Sequence, residues 1–217
     1  AKLCNMGIPM GLQCSITAIG SVLLQGAVNG LGSDIVAAQT AGGKAAQFLS
    51  VPLESIGTAM TTYASQNMGA HDLGRVNKGV NTALGIGCVY SIASFLILRV
   101  ADKPLIGLFL EAGEAEIMAN AQSFIFWNSV FYIPLAVLII YRYTIQGLGY
   151  SGLAMFAGVA EMVARALVGL FVPMWGYFAA CIANPVAWFF ACFFLIPAYI
   201  VVYRRLQKEK QTPHANL

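Results

Sequence analysis

Charge is what this sequence has least of. Only 10% of its 217 residues are Asp, Glu, Lys or Arg, against about 25% in soluble domains. So few charges do not cover the outside of a soluble fold of this size. The twelve Lys and Arg exceed the nine Asp and Glu by a net +3, too little for a nucleic-acid footprint. Cysteine is scarce as well. Cys4, Cys14, Cys88, Cys181 and Cys192 are odd in number, lie in apolar stretches and form no CxxC, and His71 and His214 stand far apart. Neither a disulfide framework nor a zinc site follows. There is no P-loop, nucleophile elbow or HExxH, hence no catalytic constellation and no cofactor, and the chain reads as a non-enzyme. No charged n-region precedes an apolar core at Ala1, so no signal peptide is expected and a longer parent chain is open.

What is abundant is apolar surface. Hydrophobic residues make up 59% of the chain and mean hydropathy is +0.73, the composition of an integral membrane protein. Alternating ten-residue strands are missing from the pattern, which excludes a transmembrane barrel. Runs of about 20 apolar residues predict an all-α protein of six transmembrane helices, near 8–28, 37–63, 80–100, 117–145, 153–175 and 179–203. These fall in one unit over 1–206, followed by a polar tail over 207–217. Pro52 and Pro134 sit inside the second and fourth spans and are expected to kink them. The stretch 104–110 (PLIGLFL) reads as a short interfacial helix.

Basic residues set the expected orientation. Lys2, Arg75, Lys78, Arg204, Arg205, Lys208 and Lys210 fall on one side, whereas the loop 101–116 carries Asp102, Glu111, Glu114 and Glu116 against Lys103. Both ends of the segment are therefore expected in the cytoplasm, with the spans in a plasma (inner) membrane.

Ionisable and polar groups at membrane depth each need a reason. On the second span Lys44, Gln47, Glu54, Thr58, Thr61 and Ser65 follow at three- or four-residue steps, broken only at Val51. Such a series makes one stripe on a helix. Glu54 lies mid-span without a basic residue three or four positions away. It is a candidate ion-coupling carboxylate, or else a protonated acid bonded to a neighbouring helix. Glu161 and Arg165 are spaced i,i+4 with the acid first, which suits a self-neutralising pair; a part in proton relay is the second reading. Gln13, Thr17, Ser21, Gln25 and Asn29 form a slowly winding polar band on the first span, fit to line a cavity or to glue helices together. Tyr132 and Gln146 complete the cavity-lining candidates. Tyr132, beside Pro134, offers an aromatic face to an organic cation. The aromatics Trp127, Tyr141 and Tyr143 read as belonging to an interfacial belt.

Three stretches, taken with the six-span layout, resemble the multidrug and toxic compound extrusion (MATE) family. They are GIPMGLQ at 7–13, SQNMGAHD at 65–72 followed by Arg75, and YTIQGLG at 143–149. The resemblance covers about 8–205 and implies that the chain is the second six-helix lobe, one half, of a twelve-helix bacterial transporter. That transporter would perform secondary active efflux of mostly cationic organic compounds in exchange for Na+ or H+. Its partners would be those small molecules, membrane lipid and a missing N-terminal lobe. One branch of the family couples through carboxylates in the helices matching the first and fourth spans. Gln13, Gln25, Asn120 and Asn128 stand in those helices here, so coupling through this lobe falls to Glu54 or Glu161. A flippase for lipid-linked saccharides, which calls for a more cationic cavity, and a non-transporting scaffold subunit are the competing readings.

Overall fold

The computed structural model describes residues 2–110 and 115–211. Glu111, Glu114, His214 and the tail over 212–217 lie outside the described residues, as do the side chains of Lys2 and Lys210. The described chain is helical, in the order α1 (Lys2–Asn29), α2 (Ser33–Gly69), α3 (Leu73–Gly107), α4 (Ala115–Val130), α5 (Tyr132–Gly147), α6 (Ser151–Trp175) and α7 (Tyr177–Gln211).

Four helices are each long and apolar enough to cross a membrane, and the pair α4 and α5, bent by 54°, makes a fifth candidate. Helix α2 has 37 residues, roughly 55 Å of helix. It falls outside that set because Lys44, Glu54 and its polar stripe lower its hydropathy. The expected fourth span is thus two helices. Phe131 separates them, and Pro134 stands third in α5, where its missing N–H would have no intrahelical partner anyway. Helix α2 continues through Pro52. The expected interfacial helix over 104–110 does not form separately. Helix α3 runs through Pro104 to Gly107. Helix α7 likewise extends into the start of the polar tail.

The connections follow from local chemistry. Between α2 and α3, the N–H groups of Ala70, His71 and Asp72 return to the carbonyls of Gln66, Met68 and Asn67 at 3.0, 3.0 and 2.9 Å. His71 takes φ 56°, and the Asp72 carboxylate accepts the Arg75 N–H at 3.0 Å, capping α3. Asp72→Ala should therefore cost about 0.5–2 kcal/mol, readable as a lower melting temperature in detergent with transport geometry intact. Between α5 and α6, Gly149 (φ 91°) donates to Gln146 O at 2.9 Å and Tyr150 donates to Ile145 O at 3.1 Å. This is the 5→2 and 6→1 pattern of a Schellman cap.

Helices α1 and α6 pair with α7 over a small core of Leu24, Val28, Val172, Ala179, Ala180 and Ala183. Helices α2 to α5 share a larger core with the other end of α7, including Leu53, Ile125, Ile139, Ile140 and Leu195. Small residues permit this closeness, as in other membrane bundles. Outward-facing side chains such as Phe193, Val100 and Leu170 are largely exposed, an apolar exterior that suits lipid. Helix α1 barely meets α2, and one polar cavity opens in that loose seam.

Candidate functional site

Glu54 is the point at which two cavities meet. A smaller one, about 220 Å³, is lined by Gln47, Ser50 and Glu54 of α2, Phe124 and Asn128 of α4, Tyr132 of α5, Arg165 of α6, and Asn184 and Trp188 of α7. A larger one, about 350 Å³, is lined by Met10, Gln13, Thr17 and Ser21 of α1, Glu54 of α2, and Arg142, Tyr143 and Gln146 of α5. Among the described residues, Glu54 alone lines both. It accepts one hydrogen bond, from the Tyr143 hydroxyl at 2.7 Å, and is otherwise exposed. A carboxylate with spare lone pairs facing two open spaces can take up a cation.

Glu161 is in the opposite condition. It is 2% exposed and holds two guanidinium groups. Arg142 donates to Oε1, and Arg165 donates to Oε2 at 3.2 Å. The i,i+4 pair expected from the sequence is present, but as half of a three-charge cluster joining α5 to α6. Arg165 Nε also donates to Asn184 Oδ1 at 3.2 Å, and Asn184 Nδ2 donates to Asn128 Oδ1 at 3.2 Å. Asn128 Nδ2 then bonds the carbonyls of Phe124 and Cys181 at 2.9 and 3.3 Å, so the network also ties in α4 and α7. Two guanidinium groups on one carboxylate leave one formal positive charge over. The Nε of Arg142 and an Nη of Arg165 have no partner among the described residues.

The remaining candidates divide. Gln13 and Gln146, both buried, meet across the α1–α5 seam, with Gln146 Nε2 donating to Gln13 Oε1 at 2.7 Å. Tyr132 turns its ring to the smaller cavity beside Trp188, centroids 6.3 Å apart, and its hydroxyl donates to Ala46 O at 2.9 Å. Gln25, Asn29, Lys44, Thr58 and Thr61 line neither cavity. Gln25 donates to Asn29 at 3.0 Å, and Thr58 donates to its own helix at Glu54 O. Thr61 bonds Tyr143 O at 3.0 Å, and Lys44 sits 5.8 Å from the Phe109 ring centre. The reason on α1 is geometric. Each four-residue step overshoots a turn by about 40°, so Gln13, Thr17 and Ser21 face the cavity and Gln25 and Asn29 have rotated past it. Sequence reading missed Arg142, Tyr143 and Asn184 as site residues. The available signal was Arg142 itself, an arginine in an apolar run with no acid within four residues.

Known proteins decide the family. The MatE family model matches residues 9–171. The chain belongs to the MATE family. Among curated relatives, the Probable multidrug resistance protein YpnP of Bacillus subtilis (strain 168) is 26% identical over 132 residues, 61% of this chain and 29% of that protein. The Probable multidrug resistance protein YoeA of the same organism is 21% identical over 118 residues, 54% and 26% of the two chains. Among solved structures, a MATE in the bent conformation superposes with TM-score 0.87 at 16% identity, over 97% of this chain and 47% of that one. The outward-facing conformation of a multidrug resistance MATE transporter gives 0.82 at 17%, over 97% and 47%. A MOP superfamily transporter from Pyrococcus furiosus, described by the reverse polarity of its binding pocket, gives 0.78 at 17%, over 94% and 45%. The chain therefore spans about half of a MATE transporter, one lobe, and is part of a multi-pass membrane protein rather than an enzyme.

The geometry explains the MATE-like stretch over 143–149. Tyr143 holds Glu54, Gln146 holds Gln13, Gly147 lets α5 touch α2 at Thr61, and Gly149 adopts the positive φ of the turn.

Proposed function

We propose that this chain is the C-terminal lobe of a secondary active multidrug exporter that exchanges organic, mostly cationic compounds for Na+ or H+ by alternating access. The observation that carries the reading is Glu54, a carboxylate with a single hydroxyl partner, open to both cavities. One carboxylate cannot neutralise a coupling ion and a substrate cation together, so each weakens the other's hold, and that reciprocal penalty is the coupling free energy of an antiporter. Glu161 and Arg165 form a structural cluster in this scheme, because Glu161 is already shared by two guanidinium groups. Arg142 and Arg165 are matched in formal charge by Glu54 and Glu161, which leaves the cavities short of the cationic excess a pyrophosphate-carrying flippase calls for.

The orientation places the α2–α3 turn and the end of α7 at the cytoplasm. A hydrogen bond from Tyr199 to Asn77 at 3.3 Å supports this by bringing that end of α7 beside the start of α3, so Arg75, Lys78, Arg204 and Arg205 gather on one side.

The test is efflux of a cationic dye from proteoliposomes holding the full-length transporter, with an imposed Na+ or H+ gradient. Glu54→Gln is expected to lower gradient-driven efflux at least about tenfold, the worth of one charge-assisted contact, with little effect on melting. Undiminished coupled efflux in the variant would overturn the assignment.

A further inference from the structure

We propose that a groove between α2 and α3, on the side of the lobe turned away from Glu54, holds an anionic phospholipid, with one acyl chain along the groove and the phosphate at Lys78. The groove shares no residue with either cavity at Glu54.

It encloses about 440 Å³, more than either of those cavities. Ile56, Ala59 and Met60 of α2 and Ala83 and Ile86 of α3 make its walls apolar. On α2 these positions lie about 140–240° around the helix from Glu54, so the groove opens away from the polar interior. Ile86 is 55% exposed and Val89, one turn further along α3, is 69% exposed, an outer face of the kind that meets lipid.

One end of the groove is polar. Lys78 and Thr82, a turn apart on α3, line it there together with Tyr63 of α2. The Tyr63 ring rests on Gly79, where an added methyl would collide with it, and its hydroxyl donates to Arg75 O at 3.3 Å. Arg75 and Lys78 are both exposed, and neither forms an ion pair among the described residues. Asp72, the nearest acid in sequence, has its carboxylate at the Arg75 N–H as the cap of α3.

Depth agrees with this polarity. Helix α3 has 35 residues, about 52 Å of helix, some 20 Å more than a hydrocarbon core of about 30 Å. With the core centred on α3, about 10 Å protrudes at each end. Lys78 stands about 8 Å from the start of α3, at headgroup level, and the groove from Gly79 to Ile86 runs down one leaflet. A phosphate there finds a compact ammonium charge, and the acyl chain covers the apolar walls. A zwitterionic headgroup brings its own ammonium, which repels Lys78, so the charge selects an anionic lipid.

The probes are phosphatidylglycerol and phosphatidylcholine carrying the same photoactivatable diazirine on an acyl chain, each in vesicles holding the full-length transporter. Crosslinks are located by peptide mapping, and labelling over 56–63 and 79–86 is divided by labelling at the exposed Leu170 and Phe193. Phosphatidylglycerol is expected to label the groove at least about fivefold more than phosphatidylcholine, the weight of one lysine near a membrane surface. In Lys78→Gln that ratio should fall toward one. In Ala59→Phe, where an exposed position on the wall takes a ring that fills the groove, labelling by both lipids should drop. Equal labelling by the two lipids in the wild type overturns the proposal. So does a groove left unlabelled by both, which another part of the transporter then covers. A ratio unchanged in Lys78→Gln, or labelling undiminished in Ala59→Phe, also overturns it. All four readings are ratios within one preparation, so a partly unfolded variant does not imitate them, and none depends on ion coupling at Glu54.

Discussion

Glu161→Gln is expected to destabilise the lobe by about 3–5 kcal/mol, the usual cost of removing one partner from a buried ion pair. The glutamine fits the space but carries no charge. Arg142 and Arg165, 9% and 6% exposed, would then stand together at membrane depth with Glu54, which lines the larger cavity with Arg142, as the remaining carboxylate among the described residues near them, and two like charges repel more strongly there than in water. The measurement is thermal unfolding of the purified full-length transporter in detergent. The companion variant carries Glu161→Gln with Arg142→Gln. Removing the second arginine relieves part of the repulsion, so the double substitution should be more stable than the two single effects add up to, with an interaction energy of about 1–3 kcal/mol. Melting of Glu161→Gln at the wild-type temperature would mean that the cluster does not hold α5 to α6. Glu54→Gln makes the contrast, since Glu54 is exposed and bonds a neutral hydroxyl. Its loss should spare the fold and strike transport.

That contrast shows which parts of the site were legible in the sequence. The spacing of Glu161 and Arg165 is local information, and their contact appears as the helix period dictates. The second guanidinium on Glu161 comes from 19 residues away on another helix, and no period links Arg142 to Glu161. It is set by the α5–α6 turn, whose Schellman cap at Gly149 folds the two helices back on each other. The polar stripe on α2 was legible as a stripe, and Gln47 and Glu54 do line a cavity. Thr58 and Thr61 lie on the same stripe but are taken up by the Glu54 and Tyr143 carbonyls, a choice made by how closely α5 approaches. Pro134 signalled a distortion, and the 54° bend lies three residues before it. The polarity that drew attention to α2 also keeps it from reading as a span by composition alone, because a helix that lines a cavity carries side chains a lipid-facing helix excludes.

The close approach of α5 to α2 leads to the second large effect, that of Gly147→Ala. A methyl group at Gly147 would fall inside the contact distance of the Thr61 carbonyl oxygen and lie 3.0 Å from Thr61 Cα and from the Ala64 methyl. Carbonyl and Cα are backbone of a packed helix and cannot rotate away, so α5 has to move as a unit. Overpacking of this kind costs about 1–3 kcal/mol. The sign is informative, because Gly147, the last residue of α5, is not among the positive-φ glycines and Ala is the better helix former, so a net loss must come from the clash. Gly152→Ala is the matched control on α6, where an added methyl meets nothing within 4 Å; its melting temperature should hold or rise. Moving α5 away from α2 also stretches the Tyr143–Glu54 bond, one turn before Gly147 on the same helix. Gly147→Ala should therefore lower both the melting temperature and ion-coupled efflux, whereas Glu54→Gln lowers efflux alone. If Gly147→Ala melts no lower than Gly152→Ala, the α2–α5 contact is looser than the carbonyl approach implies, and the positioning of Glu54 would have to come from elsewhere.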